Sequence, residues 1–255
     1  MKVTIIGSGN VATCLANLFD QNGFEIFEIF SRNIIHAETL ASRFHANFTD
    51  KLSSLSMESD LYLLAVDDKT IEEIANKINV GHKMVVHCSG TISMQSLNHA
   101  SSNVGVLYPL QSFNKNMQSQ IPEFTFVICA SQQTMEEKLN NICSKLNRDC
   151  IVMNDEQRKE LHMAAVFVNN FTNHMVAIAE KWLAEKNIPN ELMLPLLSNT
   201  FEKIKVMGAI DSQTGPAKRN DEKIINEHLQ LLASHPDWQK IYSLITGSIR
   251  NFYKQ

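Results

Sequence analysis

Apolar and polar positions along the first third of the chain alternate between two textures. Short β-branched or aromatic runs, Val3 to Ile6, Phe24 to Phe30, Asp60 to Val66 and Met84 to Cys88, read as buried strands. Between them lie helical patterns, the first marked by Val11, Leu15, Leu18 and Phe19 and the second by Ile34 to Phe44. Asp67-Asp68-Lys69-Thr70 opens a further helix with acids in the first turn, where the helix dipole favours them. Val104 to Leu107 and Phe124 to Ala130 continue the strands, then comes a helix to about Leu146 and a last strand at Asp149 to Met153. Strands alternating with helices predict an α/β, mainly parallel, doubly wound sheet.

From about Asn154 only helical patterns remain. Asp155 to Lys186 reads as one long helix whose middle, Met163 to Val168, is apolar on every side and is expected to be buried all round. Asn190 to Met207 is another, with Pro195 kinking it or delaying its start. Asn220 to Ala233 follows, and the last helix starts at Ser234-His235-Pro236-Asp237, a capping pattern with proline in the first turn. The expected organisation is a nucleotide-binding domain over 1–153 and an all-α domain over 154–255.

The most informative local pattern is Gly7-Ser8-Gly9-Asn10-Val11-Ala12, placed between the first strand and the first helix. It reads G-x-G-x-x-A. Gly7 permits the tight turn, Gly9 lets the backbone approach a pyrophosphate, and Ala12 lets helix and strand pack closely. The N–H groups of Ser8, Gly9, Asn10 and Val11 and the helix dipole then favour phosphates. The second strand ends in Ser31-Arg32-Asn33. An acidic residue there would suit the ribose hydroxyl of NAD; Arg32 suits a 2′-phosphate, so NADP is expected over NAD. Ala65 and Val66 end the third strand beside the same cofactor.

Ligands on such sheets lie beyond the carboxyl ends of the strands. There Ser89 and Gly90 would hold a carbonyl or carboxylate oxygen, and Gln111, at the polar exit after Pro109, would line the substrate cleft. Cys88 reads as packing rather than as a nucleophile, and His87 as a core histidine. On an even helix of 100° per residue, His162, Asn169 and Asn173 fall on one stripe. Polar groups on a buried stripe need partners or a ligand. His162 is the expected acid/base or substrate-orienting group, with Asn169 and Asn173 as hydrogen-bonding groups; an interhelical polar network is the other reading. Lys218 and Arg219, in a turn opening a helix, would form an anion site for substrate, or equally an ordered connector whose charges are solvated.

Composition narrows the rest. The chain has 255 residues, 44% hydrophobic and 20% charged, with net charge −4, which disfavours a non-specific nucleic-acid or membrane surface. The five cysteines are scattered without C-x-x-C, as expected of reduced thiols in a cytoplasm. No signal peptide is read at the apolar start, and no run reaches membrane-spanning length. No histidine pair has metal-ligand spacing, so no metal site is expected.

With these residues in view, the N-terminal half resembles the NADP oxidoreductases that include the coenzyme F420 (deazaflavin)-dependent and pyrroline-5-carboxylate reductases. The whole chain resembles Rossmann-like proteins with a C-terminal helical domain of unknown function. The resemblance is carried by the glycine turn, His87-Cys88-Ser89-Gly90-Thr91, Tyr108-Pro109-Leu110-Gln111-Ser112-Phe113, His162 with Ala164-Ala165 and Asn169-Asn170, and Thr214-Gly215-Pro216 with Arg219 and Asp221. It implies a Rossmann domain, a helical dimerisation domain like the C-terminal domain of 6-phosphogluconate dehydrogenase, and NADP-linked redox chemistry. The commoner family start at the strand exit is His-Pro, where this chain has Tyr108-Pro109. His162 stands where related hydroxyacid dehydrogenases carry a lysine, so their mechanism is not transferred. The expected activity is hydride transfer between NADP(H) and a small keto, hydroxy or imino acid in a homodimer. A non-catalytic dinucleotide sensor or assembly protein, and an interaction protein with an empty Rossmann fold, are the alternatives.

Overall fold

The computed structural model describes residues 1–115 and 121–254. Two compact units divide the chain, Met1–Asn170 and Phe171–Gln255.

The first unit is built on β1 (Lys2–Ile6), β2 (Glu25–Phe30), β3 (Asn47–Thr49), β4 (Leu61–Leu64), β5 (Met84–His87), β6 (Asn103–Pro109), β7 (Phe126–Ala130) and β8 (Cys150–Val152). They form one sheet in the order β3-β2-β1-β4-β5-β6-β7-β8. The first six follow the Rossmann order, with the switch point between β1 and β4. The strands are parallel except at one junction, β6 against β7. The short β3 is an addition to the elements read from sequence: its outward residues Asn47 and Phe48 are exposed and give no apolar run.

Helices α1 (Asn10–Gln21), α2 (Ile34–Ala41), α3 (Asp68–Ala75), α4 (Gln133–Lys145) and α5 (Asp155–Ala165) accompany the sheet. Alternate strand residues feed different apolar layers. Val3, Ile5, Leu61, Leu63 and Val86 meet Leu15, Phe19 and Leu139 on one side; Ile6, Tyr62, Leu64 and Val85 meet Ile71, Ile74 and Leu97 on the other. A third cluster, Val106, Tyr108 and Val127, receives Leu161 of α5.

After α5 the backbone passes through a π-helical turn, Val166–Phe171. The wider turn breaks the even 100° spacing on which a His162–Asn169–Asn173 stripe depends. The expectation of all-round burial at Met163 to Val168 is corrected: Met163 is 52% exposed and Val168 70%.

The second unit holds α6 (Thr172–Glu185), α7 (Leu194–Ser212), α8 (Glu222–Leu231) and α9 (Pro236–Tyr253). Pro195 delays rather than kinks: a 3₁₀ turn at Asn190–Met193 precedes α7, and the proline occupies its first turn. The break in α7 falls at Gly208, whose φ of +80° lies in the left-handed region. The N-cap of α9 is His235, not Ser234, and no side chain caps it. A hydrogen bond of 2.8 Å between His228 Nδ1 and the Tyr242 hydroxyl ties α8 to α9.

Candidate active site

At the carboxyl ends of β1, β2, β4, β5 and β6 the first unit opens into a cleft of about 500 Å³. That size is usual for a small-molecule site. One end is the glycine turn. Gly7 has φ of +132°, and a Cβ there would stand 2.2 Å from the Ala65 carbonyl oxygen, so only glycine lets β1 turn past β4. Around Gly9 a Cβ would meet nothing within 4 Å, which leaves that backbone open to the cleft. No side chain caps α1 and no acid occupies its first turn. The helix therefore presents unmasked N–H groups and its positive end to the cleft.

Ser8, Asn10, Val11, Ser31, Arg32, Asn33, Ala65 and Val66 all line this cleft, as expected of a cofactor set. The Ser8 and Ser31 hydroxyls are 2.8 Å apart and join the glycine turn to the end of β2. Arg32 is exposed, while Asn33 caps α2 by accepting the N–H of Ile35. The unmasked helix end, the open Gly9 and the guanidinium together fit an anionic dinucleotide.

At the other end of the cleft Gly90, Tyr108 and His162 meet. The Tyr108 hydroxyl and His162 Nδ1 share a hydrogen bond of 3.1 Å, with the rings edge-on at 5.9 Å. Gly90 is what lets them approach: a Cβ there would lie 2.6 Å from His162 Nδ1 and 3.0 Å from Tyr108 Cζ. Burial, with the Asp68 charge, holds the Tyr108 phenol above its ordinary pKa, partly offset by Arg158.

Ser89 lines the same end, but its oxygen is engaged, accepting the N–H groups of Thr91 and Ile92 at 3.0 Å each. It shapes the loop after β5. Thr91 in turn donates to Asp68 at 2.6 Å. Burial pushes the Cys88 thiol up, in keeping with packing rather than nucleophilic use. His87, fully buried, accepts the Ser89 N–H at Nδ1; burial, then the Arg158 charge, pull its pKa down to about 4.

His162 owes its placement to residues that the sequence reading passed over. Arg158, one helical turn earlier, is fully buried and pairs with Asp155 at 2.8 Å. It also donates to the Ile92 carbonyl, and Asp155 accepts from Ser93 and from the Met94 N–H. Burial pushes the Asp155 carboxyl up, but Ser93 and Arg158 outweigh it and hold it below the usual range. Together these bonds fasten the start of α5 to the loop after β5. The available signal was an acid, a cation and a histidine at i, i+3 and i+7, all on one helix face.

Two other expected site residues of the first unit, Gln111 and Asn169, lie outside the cleft lining. Gln111 is exposed, its side-chain oxygen accepts the Ser112 N–H, and it is not among the residues lining the cleft. Asn169 is exposed on the π turn and likewise does not line it. Asn173, Lys218 and Arg219 belong to the second unit, and all three are exposed. At the start of α8 Asp221 fills the cap by accepting the Ile224 N–H, and Glu222 follows. Lys218 instead donates to the Gln213 carbonyl at 3.0 Å and lies over the Tyr253 ring. Among the described residues no group of three metal-ligating side chains occurs.

Residues 2–90 match the family described as NADP oxidoreductase, coenzyme F420-dependent, and residues 124–249 match a domain of unknown function. A solved Bacteroides fragilis protein, described as a "putative NADP oxidoreductase", is 36% identical, with a TM-score of 0.92 over 98% of each chain. The chain belongs to this NADP oxidoreductase family. Two more distant structures share the family's fold. Protein TM1727 from Thermotoga maritima is 22% identical at a TM-score of 0.73, covering 99% of this chain and 98% of its own. An imine reductase from Myxococcus stipitatus, solved with NADP+, is 15% identical at 0.69, covering 98% and 93%. No curated protein matches the chain.

Proposed function

We propose that the protein is an NADP-dependent oxidoreductase that exchanges hydride between NADP(H) and a small keto, hydroxy or imino acid. One observation carries this reading: a single cleft joins an anion-binding glycine turn with Arg32 to a hydrogen-bonded Tyr108–His162 pair. When bound, the nicotinamide supplies or accepts the hydride. Gly7, Ser8, Gly9, Asn10 and Val11 would hold the pyrophosphate, and Ser31, Arg32 and Asn33 the 2′-phosphate end, with Ala65 and Val66 alongside. His162 supplies the proton side of the reaction, since carbonyl or imine reduction consumes one proton with each hydride. Gly90, with no side chain, lets the imidazole and the Tyr108 ring close on each other at the end of the cleft.

The exposed apolar residues of the first unit's last helix, and Leu192, Leu194, Leu196 and Val206 of the second, suit a homodimer through the helical region. The five cysteines are free, which suits a reducing cytoplasm. No described helix is long and apolar enough to cross a membrane.

Calorimetric titration with NADPH, NADH and a reduced deazaflavin, followed by a screen of small imino and 2-oxo acids, tests the proposal. NADPH binding well ahead of NADH, with turnover of one substrate, is the expected result. NADPH binding without any turnover favours a sensor, and no dinucleotide binding at all rejects the reading.

A further inference from the structure

We propose that Tyr108 is the residue that hands the proton to the substrate, and that His162 recharges it. This rests on the oxidoreductase reading above and gives a proton-transfer role to a residue that the sequence reading named only as part of the strand exit Tyr108-Pro109. Five dissociable side chains of the cleft lie around Gly90: Asp68, Cys88, Ser89, Tyr108 and His162, of which Asp68 is a carboxylate engaged by the Thr91 hydroxyl. Ser89 is committed to the loop backbone, and desolvation pushes the half-buried Cys88 thiol up. His162 Nδ1 is enclosed between Gly90 and Tyr108, and the bonded partner it faces is the Tyr108 hydroxyl. A proton leaving that nitrogen passes to Tyr108 Oη. Tyr108 itself sits at the end of β6, 9% exposed and paired with Val127 of β7, and its hydroxyl is held at the cleft by His162 Nδ1. Burial holds the phenol above its ordinary range.

The step balances. Hydride added to the carbon of a C=N or C=O bond leaves an electron pair on the nitrogen or oxygen. That atom forms a bond to the Tyr108 proton as the Oη–H bond breaks. The phenolate oxygen takes the proton of His162 Nδ1, and the imidazole regains one proton from the solvent buffer, so one proton is consumed with each hydride. The opposite order, with Tyr108 only orienting His162, makes different predictions.

The experiment compares wild type, Tyr108→Phe and His162→Gln. NADPH turnover is measured with 1-pyrroline-2-carboxylate, 1-pyrroline-5-carboxylate, pyruvate and 2-oxoglutarate, and NADPH affinity by calorimetry. The imidazole titration of His162 is followed by NMR in the cofactor-free protein. Tyr108→Phe is expected to lower kcat by about 100-fold or more and His162→Gln by about 10-fold, since a water can partly recharge the phenol. NADPH affinity stays within about twofold, because neither residue belongs to the phosphate end. In Tyr108→Phe the His162 titration moves while those of the other histidines stay. Near-wild-type turnover in Tyr108→Phe, a greater loss in His162→Gln, or an unmoved His162 titration overturns the proposal and leaves the oxidoreductase reading standing. A wild type that turns over none of the four substrates overturns that reading and the proposal with it.

Discussion

A Cβ on Gly90 would stand 2.6 Å from His162 Nδ1. Real side-chain contacts do not come so close, so Gly90→Ala must push the imidazole off Tyr108. Overpacking of this kind costs about 1–3 kcal/mol of stability. The displaced ring is expected to lower turnover by about 10- to 100-fold. NADPH affinity should hold, since the glycine turn is untouched. Steady-state kinetics beside a thermal melt would read both; full turnover in a folded Gly90→Ala protein would show that the contact is dispensable.

Arg32 is the one arginine or lysine lining the described cleft. Arg32→Ala is expected to weaken NADPH binding by about 10- to 100-fold, the range of a lost charge-assisted hydrogen bond or two. NADH binding should change by less than about twofold, because it lacks the 2′-phosphate. Calorimetry with both nucleotides checks this, and equal losses for the two would place Arg32 elsewhere on the cofactor.

Asp155→Ala leaves a fully buried guanidinium without its carboxylate. Removing one partner of a buried pair costs about 3–5 kcal/mol. Urea denaturation should show the loss, and Arg158→Met, which removes the buried charge itself, should lose less. A surface-like cost below about 1 kcal/mol for Asp155→Ala would mean that Arg158 finds another partner.

His87 gives the fold a pH dependence of definite sign. Its pKa is pulled from an ordinary 6.5 to about 4 by burial and Arg158. Between those values the unfolded chain binds the proton and the folded one does not. The contribution to stability is therefore complete above pH 6.5 and is lost as pH falls towards 4. The full loss is about 3 kcal/mol by linkage. Glu28, raised chiefly by its burial, works in the opposite sense, so the comparison with His87→Gln isolates the histidine. The variant's stability should fall less steeply between pH 7 and pH 4.5 than the wild type's.

Met163 and Val168 expose apolar surface that a lone chain does not cover. Light scattering should give twice the 28.8 kDa chain mass. Val168→Glu, at a position already 70% exposed, should leave the fold intact and shift the mass to that of one chain. A monomeric wild type at micromolar concentration would reject the dimer.

What could be read from sequence followed from how local each signal is. The glycine turn, the strand runs and the proline at the start of α7 are set by neighbours within a few residues. The parallel sheet follows from their alternation. Met163 to Val168 misled because an apolar surround says that a segment is covered, not by which chain. Asn169 misled because an even helical spacing cannot foresee a π turn. Tyr108 and Arg158 were missed for a different reason. A tyrosine on a β-branched strand and an arginine beside an acid are ordinary in isolation, and only tertiary packing puts one against His162 and buries the other.

The reversed junction between β6 and β7 has a consequence for direction of travel. Phe126 lies beside Pro109 and Ala130 beside Gly105, so the chain descends from the cleft along β7, and it descends again along the parallel β8. A helix that leaves the foot of a descending strand must climb. α5 climbs, and His162 reaches the top of β6 at Tyr108. Had β8 risen like the strands before it, the same helix would have started at the cleft and carried its histidine away from it.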